Sequence, residues 1–187
     1  FPPKYESRRS LVLPPFLAEL LELLLASHEG EYVFRSIKGG LLANANFTYH
    51  YWRPIADGRD AAAPFERVRL GQRQTVKPHR PVPEIPATAY AGKRLYLLRH
   101  GHKEWIDEAG GEHSRIAVET RMGHEVAGVE GLYANVTTVM ERRMMDSLQE
   151  RFECFVREAG WEAAATSPSS LPEGLAEWWN RQVKATG

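Results

Sequence analysis

Gly123-His124 is followed nine residues later by Tyr133 in the run RMGHEVAGVEGLYANVT, and Arg99 stands 25 residues before His124 in the run LYLLRHG. Tyr96 lies three residues ahead of Arg99, and near the front of the chain Lys4 precedes Arg8-Arg9 and Leu13-Pro14-Pro15. These residue types belong to displacement at phosphorus. Without a metal ion, that reaction needs a nucleophile, cations or donors on the non-bridging oxygens, and an acid for the leaving oxygen. Each residue also has an ordinary alternative. Tyr133 alone is a half-buried aromatic, His124 alone a histidine at a helix end, and Lys4 alone a solvated lysine in a terminal turn. Only their joint spacing sets them apart. His50, His79 and His102 have no carboxylate or thiol partners at ligand spacing, so they are surface or core histidines, and neither metal nor cofactor is expected.

The elements that must position these residues follow from the hydrophobic pattern. Arg8 to Leu13 alternates and ends at a proline pair, which predicts a strand. Phe16 to Leu25 carries an apolar face broken by Glu19 and Glu22 and closed by Gly30, which predicts a helix. Tyr32 to Phe34 predicts a short strand, Lys38-Gly39-Gly40 a turn, and Asn46 to Trp52 a short helix that stops before Pro54. From Asp57 to Ala91, five prolines in a polar, basic stretch predict irregular structure with a hairpin at Glu66 to Val76. Three helices should follow, over Leu97 to Ala109, His113 to Met122 and Thr137 to Ala159. Val129 to Tyr133 lies between the last two.

The last of these helices shows Val136, Met140, Met144, Leu148, Phe152 and Val156 at steps of four. Such a stripe serves either the core of its own domain or a neighbouring subunit. After Gly160 the composition turns to Ala, Ser, Pro and Gly, which predicts a loosely ordered tail over 160–187. Trp178-Trp179 in that tail is either a partner anchor or incidental.

The bulk numbers set the frame. At 187 residues and 43% hydrophobic content the chain can bury one domain core. Cys154 is the single cysteine, which excludes a disulfide framework and favours a reducing, cytoplasmic setting. No apolar stretch reaches the roughly 18 residues that a membrane span needs. Formal net charge is zero, but residues 1–106 carry 16 Lys/Arg against 10 Asp/Glu, and residues 107–187 carry 8 against 14. That asymmetry permits a basic surface on one side without demanding a nucleic-acid partner.

The histidine, the nine-residue step to tyrosine and the following β-branched residues closely resemble the end of the catalytic domain of the tyrosine recombinases, the phage-integrase type of strand-exchange enzyme. Leu98-Arg99-His100 resembles the family's LRH box. Lys4 with Arg8-Arg9 and Leu13-Pro14-Pro15 resembles the strand and turn that present its lysine. The likeness runs from about Lys4 to Phe152. It implies a mainly helical α+β fold over residues 1–159, with a small antiparallel sheet near the N-terminal end. It also implies double-stranded DNA as partner and a homotetramer on DNA through the C-terminal helix. By this resemblance Tyr133 attacks the scissile phosphate to give a 3′-phosphotyrosyl link. Arg99 grips the phosphate oxygens, His124 bonds the same phosphate or handles the tyrosine proton, and Lys4 protonates the leaving 5′ oxygen.

Two departures temper the expectation of activity. Tyr96 stands where the family most often has histidine, and a phenol with a reference pKa near about 10 is a poor proton shuttle. The family's first arginine, which belongs before the lysine, has no counterpart here, nor does the DNA-clamping domain. Loss of one such donor typically costs about 10²- to 10³-fold in rate. The sequence therefore predicts a truncated, inactive portion, or a catalytically dead DNA-binding remnant. A rival of another class is the histidine phosphatase signature, a hydrophobic strand ending in Arg99-His100-Gly101, with His100 as nucleophile and His124 as second histidine.

Overall fold

In a computed structural model, the structure describes residues 10–36, 38–61, 65–69, 71–76, 84–107, 112–124, 135–160 and 174–186. It is mainly helical. In chain order the elements are α1 (Pro15–Ala26), α2 (Asn44–Phe47), a π-helical turn (Thr48–Trp52), α3 (Arg53–Asp57), β1 (Phe65–Arg69), β2 (Gln72–Val76), α4 (Leu97–Asp107), α5 (Arg115–Met122), α6 (Thr138–Ala159) and α7 (Leu175–Thr186). The chain divides into two compact units. One comprises the chain up to Leu23 with Tyr96–Glu158, and the other Leu24–Leu95 with Ala159–Ala185.

The first unit is built on three helices whose apolar faces meet. Ile106 of α4, Ala117, Val118 and Met122 of α5, and Met144 and Met145 of α6 form its buried core, with Val136, Met140 and Leu148 packed against it. The four-residue stripe of α6 is thus spent largely within its own unit, the first of the two uses open to it. Val139 and Phe155 remain exposed on the same helix. Pro15 opens α1 with a residue that needs no N–H partner. The next amide, that of Phe16, donates to Gln149 Oε1 at 2.9 Å. The Phe16 and Phe152 rings stack at 4.2 Å, which fixes the start of α1 against α6.

Ser10–Leu13, the described part of the expected first strand, is not a strand. The Val12 carbonyl instead accepts from Arg121 Nη1 at 3.0 Å, and among the described residues no strand pairs with this segment, so alternation alone does not hold it extended. Tyr32–Phe34 is likewise bent rather than a strand, next to a single bridge between Arg35 and Leu41. The hairpin expected at Glu66 to Val76 is present as the antiparallel pair β1 and β2, with Phe65 opposite Val76 and Arg69 opposite Gln72, whereas among the described residues no sheet forms nearer the N-terminal end. Gly71, at φ 77°, supplies the left-handed residue that so tight a reversal requires.

In the second unit the helix from Asn44 runs through Pro54 to Asp57 instead of stopping before it. The wider π-helical turn explains this: the Arg53 N–H reaches back to Thr48 O, and Pro54 enters as a first-turn residue of α3, where a missing donor costs little. Buried Trp52 donates from Nε1 to Lys93 O at 3.0 Å. Gly58, at φ 75°, lets the chain pass so close to 85–87 that a Cβ there would lie 2.6 Å from Ala87 N. The expected loose tail is corrected over Leu175–Thr186, which is helical, with Trp178 and Trp179 buried and Trp179 Nε1 donating to Gly160 O at 2.8 Å. A paired indole and a 12-residue amphipathic run outweigh the tail-like composition just before them.

Candidate functional site

Arg99 and Lys103 stand four residues apart on one face of α4, so both side chains reach the same region. Opposite them α5 ends in a glycine-dependent turn. Gly123 takes the left-handed conformation (φ 70°, ψ 34°), its N–H donates to Thr120 O at 3.0 Å, and the His124 N–H donates to Glu119 O at 2.9 Å. This Schellman arrangement folds the chain back, so that His124 sits over the last turn of the helix it has just left.

The consequence is a four-member network. His124 Nδ1 lies 2.6 Å from Glu119 Oε2, and His124 Nε2 lies 3.2 Å from Arg99 Nη2. Lys103 Nζ lies 2.6 Å from the other Glu119 oxygen. Arg99 Nη2 also donates to Met122 O, one of the carbonyls the end of α5 leaves without a helical partner. A guanidinium only donates, so Nε2 must present its lone pair; the ring proton is then on Nδ1, donated to the Glu119 carboxylate. The Lys103 ammonium, followed by His124, holds the Glu119 carboxyl below its usual range. The Glu119 side chain is 15% exposed and that of His124 44%. Arg99 and Lys103 thus bring two cations to the neighbourhood of one carboxylate.

Tyr96 is two-thirds exposed, and its ring meets the edge of His100 at 5.5 Å. Tyr133 and Lys4 lie outside the described residues. The structure thus brings together Arg99 and His124. Lys103 and Glu119, which the sequence reading passed over, join them. Lys103 carried a faint signal in its four-residue spacing from Arg99. Glu119 carried none, since its contact with His124 depends on the reversal at Gly123.

A second polar pair lies on other faces of the same helices. Arg121 Nε donates to His102 Nε2 at 3.2 Å. Burial, then the nearby charges of Arg121 and Arg99, push the His102 imidazole below its ordinary range. Both residues line a groove of about 1120 Å³, walled by Phe16, Trp105, Phe152 and Phe155. Among the described residues there is no cluster of three or more metal-ligating side chains, and no helix is long and apolar enough to cross a membrane. Comparison with protein-family models, with characterised proteins and with solved structures gives no match for this chain.

Proposed function

We propose that the chain is a portion of a tyrosine-recombinase-like catalytic domain, and that Arg99 and His124 are its grip on the scissile phosphate. The observation that carries this reading is their meeting at 3.2 Å across 25 residues of sequence. Tyr133 is the nucleophile, forming a 3′-phosphotyrosyl link to double-stranded DNA, and Lys4 the acid for the leaving oxygen. The link keeps the energy of the broken ester, so resealing by a 5′ hydroxyl needs no nucleotide cofactor. The mainly helical architecture supports this reading only coarsely. A homotetramer on DNA would draw on exposed Phe155 and Val139 of α6, because the core-facing stripe of that helix is already occupied.

The phosphatase alternative places Arg99-His100-Gly101 at the end of a strand. These residues instead form the first turns of α4, and His100 is exposed.

The test is a covalent trap with nicked duplex DNA, comparing this chain, its Tyr133→Phe variant and a longer form supplying an upstream arginine helix. The expected result is a protein–DNA adduct from the longer form that Tyr133→Phe abolishes, with this chain alone at least about 10²-fold slower. Phosphatase activity that depends on His100, with no adduct from any form, overturns the reading.

A further inference from the structure

We propose that the groove walled by Phe16, Trp105, Phe152 and Phe155 binds an amphipathic monocarboxylate, a small molecule whose apolar body lies against these rings and whose carboxylate is held by Arg121 together with His102. The site is separate from the Arg99–His124 pair and does not depend on that pair being a phosphate grip.

The packing of the first unit leaves Arg121 without a counter-ion. It is half-buried, yet among the described residues no carboxylate comes within ion-pair distance of it. Its hydrogen bonds go to neutral groups, from Nη1 to Val12 O at 3.0 Å and from Nε to His102 Nε2 at 3.2 Å. Glu141 acts on it through its charge, and burial outweighs that help. A guanidinium drawn out of water without a partner costs free energy that a bound anion offsets.

Donors for such an anion are already present. Because His102 Nε2 accepts from Arg121, the ring carries its proton on Nδ1. Arg121 Nη2 and His102 Nδ1 are then N–H groups on two residues lining one groove, and no described group accepts from either.

The charges specify a monoanion. Burial, then Arg121 and Arg99, lower the His102 pKa and keep its ring neutral, so Arg121 is the one half-buried charge in the lining. The other charged residues of the lining, Glu112, Glu150, Arg151 and Glu158, are exposed and screened by water. One carboxylate matches one guanidinium. A phosphate dianion would leave a second charge in apolar surroundings, within reach of three glutamates. The walls specify the rest of the ligand. The groove, at about 1120 Å³, is large enough to bury a drug-sized molecule, and Trp105 and Phe155 are 44% and 50% exposed, apolar surface that a ligand would cover.

The experiment uses the full chain, with pyrenebutyrate and its neutral amide as probes followed by pyrene fluorescence. Cys154, the single cysteine and part of the groove lining, reports where they bind. The carboxylate should bind at least about tenfold more tightly than the amide, the scale of one charged hydrogen bond. Saturation with it should slow alkylation of Cys154 by iodoacetamide. Arg121→Gln should bring the carboxylate down to the affinity of the amide. Since Arg121 also holds the Val12 carbonyl, Phe155→Ser at an exposed position gives a second variant; it should weaken both probes by a similar factor and keep their ratio. Absence of binding, equal affinity for the two probes, or a preference that survives in Arg121→Gln overturns the proposal. Binding that leaves Cys154 alkylation unchanged lies elsewhere and overturns the site. A Cys154 protected before any probe is added, and released on dilution, makes a second copy of this chain the occupant and overturns the ligand. In every case the phosphate grip is judged separately, by the covalent trap on Tyr133.

Discussion

Two histidines of one small unit, His102 half-buried and His124 exposed, have different neighbours. His124 faces a carboxylate through Nδ1, whereas His102 accepts from Arg121 and faces no described carboxylate. Protonating His102 would press an imidazolium against a guanidinium, so burial and charge act together to lower its pKa from near 6.5. An unfolded chain takes up that proton as pH falls through about 6.5, while the folded chain resists it to lower pH. Stability should therefore be complete above about 6.5 and decline as pH drops through the window beneath. Urea unfolding midpoints from pH 7 to pH 5 should fall in the native chain and flatten in His102→Gln; parallel declines in both would exclude His102 as the group. Glu119 acts in a separate, more acidic window. Its lowered pKa contributes stability above the usual carboxylate value of 4.5, lost as pH falls through the folded value.

At the scale of elements, the site is held by the packing of α4, α5 and α6 rather than by the polar contacts within it. Met144 of α6 is 2% exposed and sits in the cluster with Ile106 of α4 and Met122 of α5, the residue whose carbonyl receives Arg99. Met144→Ala should cost about 2–5 kcal/mol through lost burial and an unfilled cavity. The loss should appear in thermal unfolding and in a weaker Arg99–His124 contact. An unchanged melting temperature would mean that the α4–α5–α6 core is not what holds the unit. Arg151 of α6 lies over the Trp105 ring of α4 at 5.3 Å, a cation–π contact on the groove side that adds to the same packing.

For the whole molecule, charge is a weak guide to the partner. The chain as a whole is neutral, and its basic excess lies in residues 1–106, outside the segment that holds Glu119 and His124. DNA affinity under the proposed function then depends on a few local cations rather than a broad basic field. For about two phosphate contacts, from Arg99 and one further cation, the logarithm of the binding constant should fall with the logarithm of salt at a slope near about −2. Fluorescence anisotropy with a labelled duplex measures it. Arg99→Ala should reduce the slope by about one, and a slope unaffected by that change would remove Arg99 from the DNA contact.

The sequence by itself determined the helices of the first unit to within a few residues. Their apolar residues recur at helical spacing, and Gly123 marks the end of α5. It also singled out Arg99 and His124 by type and spacing. It did not determine the strands expected at Ser10–Leu13 and Tyr32–Phe34, because a strand is completed by a partner elsewhere in the chain. Nor did it show that the π-helical turn carries the helix past Pro54, or that Trp178 and Trp179 are buried in a helix. Only the tertiary structure decided that Glu119 and Lys103 join Arg99 and His124. Their contacts depend on how α4 and α5 lie against each other and on the reversal at Gly123, geometry that spacing along the chain does not encode.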